Sequence, residues 1–478
     1  MLANPFGSIK SMRTACLAVP RYKQYHRSVA AQMILLGALS FVGPAIADAI
    51  TNLGGGGLSS PYLANLANSL NYTSGCLMTL FGGPMINKLG IKKSCVIAAI
   101  AMPLAGLSYY SNAQYGITWF LLTAQFIGGF TSGFLYVAEA TAMLSYPMQD
   151  ERGFYLGIWS AMRNSGSIFG GAINFAKNYD NSKAGGIVPS TYLLFVTLEF
   201  TGLIWALNLT PTHLVQRSNG TKISTLSSTT WRHELNTLHY HLRQKKTWLL
   251  SVPAFYSFYH GGTLSSYLSL HFTIRSRALS SFISPLLAVP SVIAYGRLLL
   301  DLKQFSQRKR AKIAALFWVV PQMVCLLWIS FEYSKFDGGF PILDYNLNLR
   351  KWIEAYLPSL LMFITGCFTQ LSLYWIIGTL SNTMSTNSQL GGLFRAFETA
   401  GMAVSYAMNS SSEQGVRKSF HLNIFLLILT IPCMVKIIQL VPNCSLSDIN
   451  PSDEERCFID DRVDNYSNSL EEPEAELA

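Results

Sequence analysis

Six ionisable residues lie within apolar stretches of the sequence, and their positions suit them for chemistry. They carry both signs of charge, and they are Asp48, Glu139, Arg163, Glu199, Arg395 and Glu398. An uncompensated charge in the middle of a bilayer is expensive, so each of these side chains must face an opposite charge or water. Such residues mark a substrate or proton pathway, or they form structural ion pairs.

Two of these residues occupy matching positions in a short internal repeat. The decapeptide 157–166 contains Arg163, and the decapeptide 392–401 contains Glu398. Their glycine, aromatic, alanine and charged positions coincide without a gap. Both charges fall near the middle of their predicted helices, which rise about 1.5 Å per residue. The repeat therefore indicates that the chain is built from two related halves.

A loop motif lies between the second and third predicted helices. It consists of Gly83, Asn87, Lys88, Gly90, Lys92 and Lys93. It resembles the loop signature of the major facilitator superfamily, in which glycines supply a tight turn and cations face acceptors across a cytoplasmic gate. The usual acid of that signature is replaced by Asn87, which would weaken a charge-based latch. The alternative is that the three lysines only orient the chain in the membrane.

A second candidate gate element joins the fourth and fifth predicted helices. Glu139 near the inner end of one helix and Arg152-Gly153 at the start of the next resemble the acid and Arg-Gly pair of many facilitators, including sugar porters. The spacing is longer than in those proteins. Glu139 is therefore expected to pair either with Arg152 or with Arg163.

The charged residues of the repeated decapeptide have two possible roles. In the superfamily the fifth and eleventh helices border the central cavity, so Arg163 and Glu398 would contact a polar substrate from opposite sides. In the structural interpretation, Arg395 pairs with Glu398 three residues away, and Arg163 pairs with Glu139 or Glu199. The candidate residues for a substrate cavity or for coupling are Arg163, Glu398, Arg395, Glu199, Gln370 and Tyr374.

Apolar runs recur along almost the whole chain of 478 residues, of which 50% are hydrophobic and 13% charged. A soluble protein carries roughly a quarter charged residues, and a membrane-spanning helix needs about 20 mostly apolar residues. The sequence therefore predicts an all-α integral membrane protein with the major-facilitator fold. We expect twelve transmembrane helices in two pseudo-repeated six-helix bundles.

The predicted spans and the charged segments define the organisation of the chain. The expected parts are a basic cytoplasmic N-terminus (1–30), an N-terminal six-helix bundle (31–209), a cytoplasmic linker (210–247), a C-terminal six-helix bundle (248–441) and an acidic disordered cytoplasmic tail (442–478). The predicted inner segments before the last helix carry 20 Lys and Arg residues, against nine in the outer ones. This bias places both termini in the cytoplasm.

Several function classes have no support in the sequence. It contains no phosphate-binding loop, nucleophile elbow or HExxH motif, so we do not expect an enzyme. The eight cysteines form no CxxC pair, and neither a metal site nor a cofactor is expected. The basic residues lie in short predicted loops, which does not favour nucleic-acid binding. The expected partners are the lipid bilayer and an unknown small-molecule substrate, or another membrane protein.

Three stretches resemble the uncoordinated-ninety-three-like family, especially its fungal members. They lie within residues 43–57, 136–174 and 370–382 and include Gly43-Pro44, Tyr136-Val-Ala-Glu139, Arg163-Asn-Ser-Gly166 and Tyr374-Trp375. The resemblance covers roughly residues 25–440 and implies the major-facilitator fold. It implies no substrate, because fold does not fix function. Animal relatives look more like partners of channels and receptors than proven transporters.

Two functions follow as hypotheses. The first is a secondary transporter that moves a small polar solute by alternating access around a mid-membrane site. The second is a non-transporting multi-pass adaptor that regulates or traffics a channel or receptor. The charged residues within the spans favour the first, and the family resemblance favours the second.

Overall fold

The computed structural model is built almost entirely of α-helices. It describes residues 25–52, 58, 60–179, 189–217, 223, 230–336, 342–380, 383–411 and 413–443. Most of the predicted basic N-terminus, the glycine run 54–57 and the predicted acidic tail from residue 444 lie outside the described residues. Predictions for those segments therefore stay predictions.

The described helices account for most of the chain. In chain order they are α1 (Val29–Val42), α2 (Pro44–Thr51), α3 (Pro61–Leu80), α4 (Gly82–Leu89), α5 (Ile91–Tyr115), α6 (Thr118–Ser145), α7 (Arg152–Asn178), α8 (Ser190–Glu199), α9 (Gly202–Asn208), α10 (Trp231–Arg243), α11 (Lys245–Ser257), α12 (His260–His271), α13 (Ile274–Tyr295), α14 (Gln307–Phe336), α15 (Leu349–Thr379), α16 (Met384–Met408) and α17 (Glu413–Gln439). A π-helical turn, Gly296–Leu300, continues α13. Ser28, Thr273 and Thr383 cap α1, α13 and α16 by accepting a backbone N–H.

Eight helices or joined helix pairs in the described part of the chain are long and apolar enough to cross a membrane. They are α1 with α2, α5, α6, α8 with α9, α13 with its π turn, α14, α15 and α17. Every predicted span falls on helical residues, but α3, α7, the pair α11 and α12, and α16 do not reach the same apolarity. The count of twelve transmembrane helices therefore stays a prediction.

The less apolar helices are those that pack against other helices on several sides. Helix α16 contacts α3, α6 and α11, and α7 contacts α1, α2, α13 and α15. The most extensive packing joins α7 to α13, and α3 also packs along α16, so these contacts connect the first half of the chain to the second. A side chain at Gly171 would clash with the Ser281 backbone, which agrees with a packing role for the glycines of α7.

The segment 210–247, which is predicted only as a cytoplasmic linker, contains a helix. Helix α10 begins after Thr230, whose side chain accepts the His233 N–H. A pattern at helical spacing was present in Trp231, Leu235 and Leu238, but the segment is polar on average. Helix α10 packs against α4, α11 and α16. The end of the bundle at which α10 lies is called the linker end below.

Candidate functional site

A cavity of about 100 Å³ lies between the first and second halves of the chain. The residues that line it come from both halves, and those with polar groups include Asp48, Tyr72, Arg163, Asn164, His260, Tyr356, Gln370 and Tyr406. We call this space the central cavity. It extends from Gln370 in the interior to Thr51 and Asn52 at the C-terminal end of α2.

Arg163 is the cationic group of the central cavity that forms an ion pair. Its Nε and Nη2 atoms both lie 2.8 Å from Oδ2 of Asp48, which α2 supplies. The side chains are 14% and 28% exposed, so the pair borders open space. The expected pairing of Arg163 with Glu139 or Glu199 is wrong. Asp48 takes their place because α2 packs directly against α7.

Arg395 and Glu398 form a second pair, which is more deeply buried. Oε2 of Glu398 accepts from Arg395, as expected from their spacing, and Oε1 accepts from Nε2 of Gln370 at 2.8 Å. These side chains are only 4% and 1% exposed. Gln370 borders the central cavity, whereas Glu398 does not line it. The structure therefore brings Arg163, but not Glu398, to the space between the halves.

Aromatic rings surround the Arg395 guanidinium. Its central carbon lies 5.0 Å from the ring centroid of Tyr136, 5.4 Å from that of Tyr374 and 5.7 Å from that of Trp159. Cation–π contacts of this kind stabilise a cation that is removed from water. Tyr374, a candidate cavity residue, is thus placed beside Arg395 rather than among the residues lining the cavity.

The two remaining acids of the interior lie apart from Arg163. Glu139 accepts a hydrogen bond from Ser40 Oγ, and its second oxygen has no hydrogen-bond partner. Glu199 lies in α8, with one oxygen likewise unpartnered. No ion pair joins Glu139 to Arg152 among the described residues. Arg152 instead donates to the carbonyl oxygen of Leu144 at 3.2 Å near the linker end.

The loop motif closes the linker end through an acid that comes from another segment. Asn87 donates from Nδ2 to a carboxylate oxygen of Glu234 in α10 at 2.7 Å, and Gln389 donates to the same oxygen at 3.0 Å. Ser388 of α16 donates to Oδ1 of Asn87. One buried carboxylate therefore holds the end of α4, the start of α16 and the linker helix together.

The other residues of the motif support this closure. A side chain at Gly83 would clash with the backbone of Gln389, and Gly90 adopts a φ of 81° in the turn before α5. Lys88 lies over the Trp231 ring of α10, with Nζ 5.7 Å from the centroid. Lys92 is half-buried and Lys93 is exposed.

Asp301, which follows the π-helical turn after α13, is a second carboxylate that joins two helices at the linker end. Its Oδ1 accepts the Gly153 N–H at 2.8 Å and its Oδ2 accepts the Phe154 N–H at 2.6 Å, at the N-terminus of α7. The N-terminus of a helix favours a negative charge. Burial nevertheless raises the pKa of Asp301 to about 6. Asp301 and Glu234 were not among the residues singled out from the sequence, since neither lies in an apolar run or a recognised motif.

Comparison with known proteins places this arrangement in a family. Residues 29–406 match the Major Facilitator Superfamily, and the chain belongs to it. It is 26% identical to UNC93-like protein 1 of Arabidopsis thaliana over 397 residues, which are 82% of this chain and 86% of that protein. It is 29% identical to Notoamide biosynthesis cluster protein O' of Aspergillus versicolor, over 82% of this chain and 84% of that protein. The predicted kinship with UNC93-like proteins is confirmed.

Solved structures confirm the fold class. The human organic anion transporter MFSD10 superposes with a TM-score of 0.59 at 12% identity, covering 87% of this chain and all of that one. The transporter FucP in its outward conformation superposes with a TM-score of 0.56 at 12% identity, covering 85% and 98%. These likenesses show the fold alone. The chain is a multi-pass integral membrane protein of the major-facilitator type.

Proposed function

We propose that this protein is a secondary transporter that moves a small polar solute by alternating access. The observation that carries the proposal is the Arg163–Asp48 ion pair, which borders a cavity enclosed between the two halves of the chain. A charged pair that only stabilised the fold would be expected away from open space, as Arg395 and Glu398 are. Solute sites of such transporters lie near the bilayer midplane between their repeats.

The proposed arrangement has twelve membrane-spanning helices in two bundles, with the linker end and both termini in the cytoplasm. The 20-to-nine excess of Lys and Arg in the predicted inner segments supports this orientation. The polar contacts at the linker end then form a closed cytoplasmic gate. Glu234 supplies the negative charge that Asn87 lacks, and Asp301 supplies it to the start of α7.

Uptake into vesicles containing the purified protein tests the proposal. A metabolite panel is screened with wild-type protein, Arg163→Met and a matched control, Arg350→Met, in which an exposed arginine is changed. We expect uptake of at least one solute by the wild type and the control, and none by Arg163→Met at equal abundance. Uptake that is unchanged in Arg163→Met would contradict the proposed site.

A second candidate function is a membrane adaptor, and one surface favours it. Helix α10 leaves Trp231, Leu235 and Tyr240 between 45% and 63% exposed, so apolar side chains of the linker helix lie uncovered by described residues. An adaptor would transport none of the panel. A photo-crosslinker at Tyr240 would then capture one particular channel or receptor in cells, and Trp231→Ala would abolish that capture. Uptake that survives Trp231→Ala favours the transporter.

A further inference from the structure

A second, smaller cavity lies inside the first half of the chain. It has a volume of about 60 Å³ and is lined by residues of α2, α3, α5, α6 and α8. We call it the N-half cavity. It is smaller than the central cavity, and two carboxyl groups, those of Asp48 and Glu199, line it.

The N-half cavity meets the central cavity at Asp48. Asp48, Thr51 and Tyr72 border both spaces. Arg163 lies on the central side only and bonds one oxygen of Asp48, Oδ2. Asp48 can therefore be approached from two directions, by a solute group that competes for Arg163 and by an ion from the N-half cavity.

Glu199 is the second carboxyl group of the N-half cavity. It is 2% exposed, and no side chain hydrogen-bonds to its Oε2. Among the described residues it forms no ion pair, and its Oε2 faces Gly106 of α5. A charged carboxylate in such surroundings is strongly destabilised unless a cation or a proton neutralises it. Glu199 thus points to a neutralising partner that enters the cavity.

The other titratable groups around the N-half cavity cannot neutralise a carboxylate. They are phenols, contributed by Tyr72 of α3, Tyr109 of α5 and Tyr136 of α6. Tyr109 already donates to Oδ1 of Asn68 at 3.0 Å. Among the described residues no Lys, Arg or His lines the N-half cavity, and Arg163 lies across Asp48 in the central cavity. A proton or another small cation is therefore the group that could neutralise Asp48 when Arg163 leaves it.

We propose that the N-half cavity is a proton site coupled to an organic-anion site at Arg163. The proposal rests on the transport function proposed above and names its substrate class. A carboxylate or other oxyanion of the solute takes the two N–H donors of Arg163, and Asp48 takes a proton that enters past Glu199. Two N–H···O bonds to Asp48 are exchanged for two to the solute, one O–H bond forms on Asp48, and the charge of the site is unchanged.

The different protonation chemistry of Arg163 and Asp48 indicates that the solute is an anion. A guanidinium stays protonated in proteins, whereas a carboxylate accepts a proton readily. A cationic solute bound to Asp48 would leave Arg163 charged and unpaired, and nothing in the cavity could remove that charge. An anionic solute on Arg163 leaves Asp48 unpaired, and a proton removes that charge. The planar fork of Arg163 also suits bidentate binding of an oxyanion.

Carbodiimide labelling tests the proton site without knowledge of the solute. Dicyclohexylcarbodiimide reacts with protonated carboxyl groups in apolar surroundings, and mass spectrometry locates the product. We expect labelling of Glu199 that declines as pH rises, and labelling of Asp48 once Arg163→Gln removes its partner. Glu398 is the matched control, since it is equally buried but paired with Arg395 and Gln370. Labelling of Glu398 in preference to Glu199 would overturn the proton site.

Proton movement into vesicles tests the coupling. Vesicles that contain pyranine are supplied separately with benzoate, lactate and succinate, and with choline and glycerol as cationic and neutral probes. We expect at least one organic anion to acidify the lumen. Asp48→Asn should abolish acidification while exchange of labelled anion continues, and Asp150→Asn, a half-buried control outside both cavities, should change neither. Solute uptake without proton movement, or uptake of choline alone, would overturn the coupling. Labelling of Glu199 without any uptake would instead refute transport itself.

Discussion

The two arginine–acid pairs of the interior share a sequence pattern but differ in environment. Arg163 and Glu398 occupy the same position of the repeated decapeptide. Arg163 pairs with Asp48, which lies on another helix, and borders the central cavity. Glu398 pairs with Arg395, one turn away on the same helix. Gln370 and aromatic rings fill the remaining space around this pair. A pair that borders open space can exchange partners, whereas an enclosed pair holds its helix in place.

The two sets of polar contacts at the linker end also differ from each other. At the start of α16 the contacting residue of α4 is the neutral Asn87, and the carboxylate comes from Glu234 of the linker helix. At the start of α7 the loop residue Asp301 carries its own carboxylate. The closure between α4 and α16 therefore includes a carboxylate from a third segment, while the closure between α13 and α7 does not.

The largest loss of stability should come from breaking the enclosed pair, Arg395 and Glu398. Arg395→Met leaves the Glu398 carboxylate buried without its cation, and loss of one partner from a buried pair costs about 3–5 kcal/mol. We expect low abundance and a lower unfolding temperature in detergent. Adding Glu398→Met should restore much of both. If Arg395→Met were as stable as the wild type, the contrast between the two pairs would fail.

Asp301 should make stability depend on pH. Its pKa is raised by burial to about 6, and an unfolded aspartate has its pKa near 4, so the native state holds the proton over a wider range. Stability is then greatest below about pH 4 and decreases by roughly 3 kcal/mol as pH rises through 6. Asp301→Asn should flatten the unfolding temperature between pH 4 and 6.5. An equally steep profile in Asp301→Asn would show that another group is responsible.

The linker contact should respond to charge at Asn87. Asn87→Asp replaces a donor by a second carboxylate beside Glu234, which removes a hydrogen bond to a charged group worth about 1.5–3 kcal/mol. We expect the linker end to open more often, measured as faster labelling of a cysteine placed at Ala140, which faces Gly391 across the closure. The double variant Asn87→Asp with Glu234→Gln should label at the wild-type rate. Slow labelling in both would exclude a latch at this position.

The smallest change in stability should come from the cavity pair. Arg163→Met leaves Asp48 facing open space, where water or a proton can stabilise it, so the cost should be about 1 kcal/mol or less. The unfolding temperature in detergent should stay close to that of the wild type, in contrast to Arg395→Met. A loss of stability as large as that of Arg395→Met would make the two pairs equivalent and remove the structural argument for a solute site.

The sequence alone determined the features that depend on local pattern. Apolar runs predicted the helices because a membrane-spanning helix must be apolar over its length. The spacing of Arg395 and Glu398 predicted their ion pair because residues three apart face each other on one helix. The loop from Gly83 to Lys93 was predicted as a contact region from its turn-forming glycines and its charges.

Only the tertiary structure decided which distant residues meet. Asp48 precedes Arg163 by 115 positions, and Asn87 precedes Glu234 by 147, so no helical period relates them. Their contacts follow from the packing of α2 on α7 and of α10 on α4, and hydrophobic patterns do not encode which helices become neighbours. The same packing leaves open space beside Arg163 and none beside Glu398, which is why two residues at one position of a repeat have different surroundings.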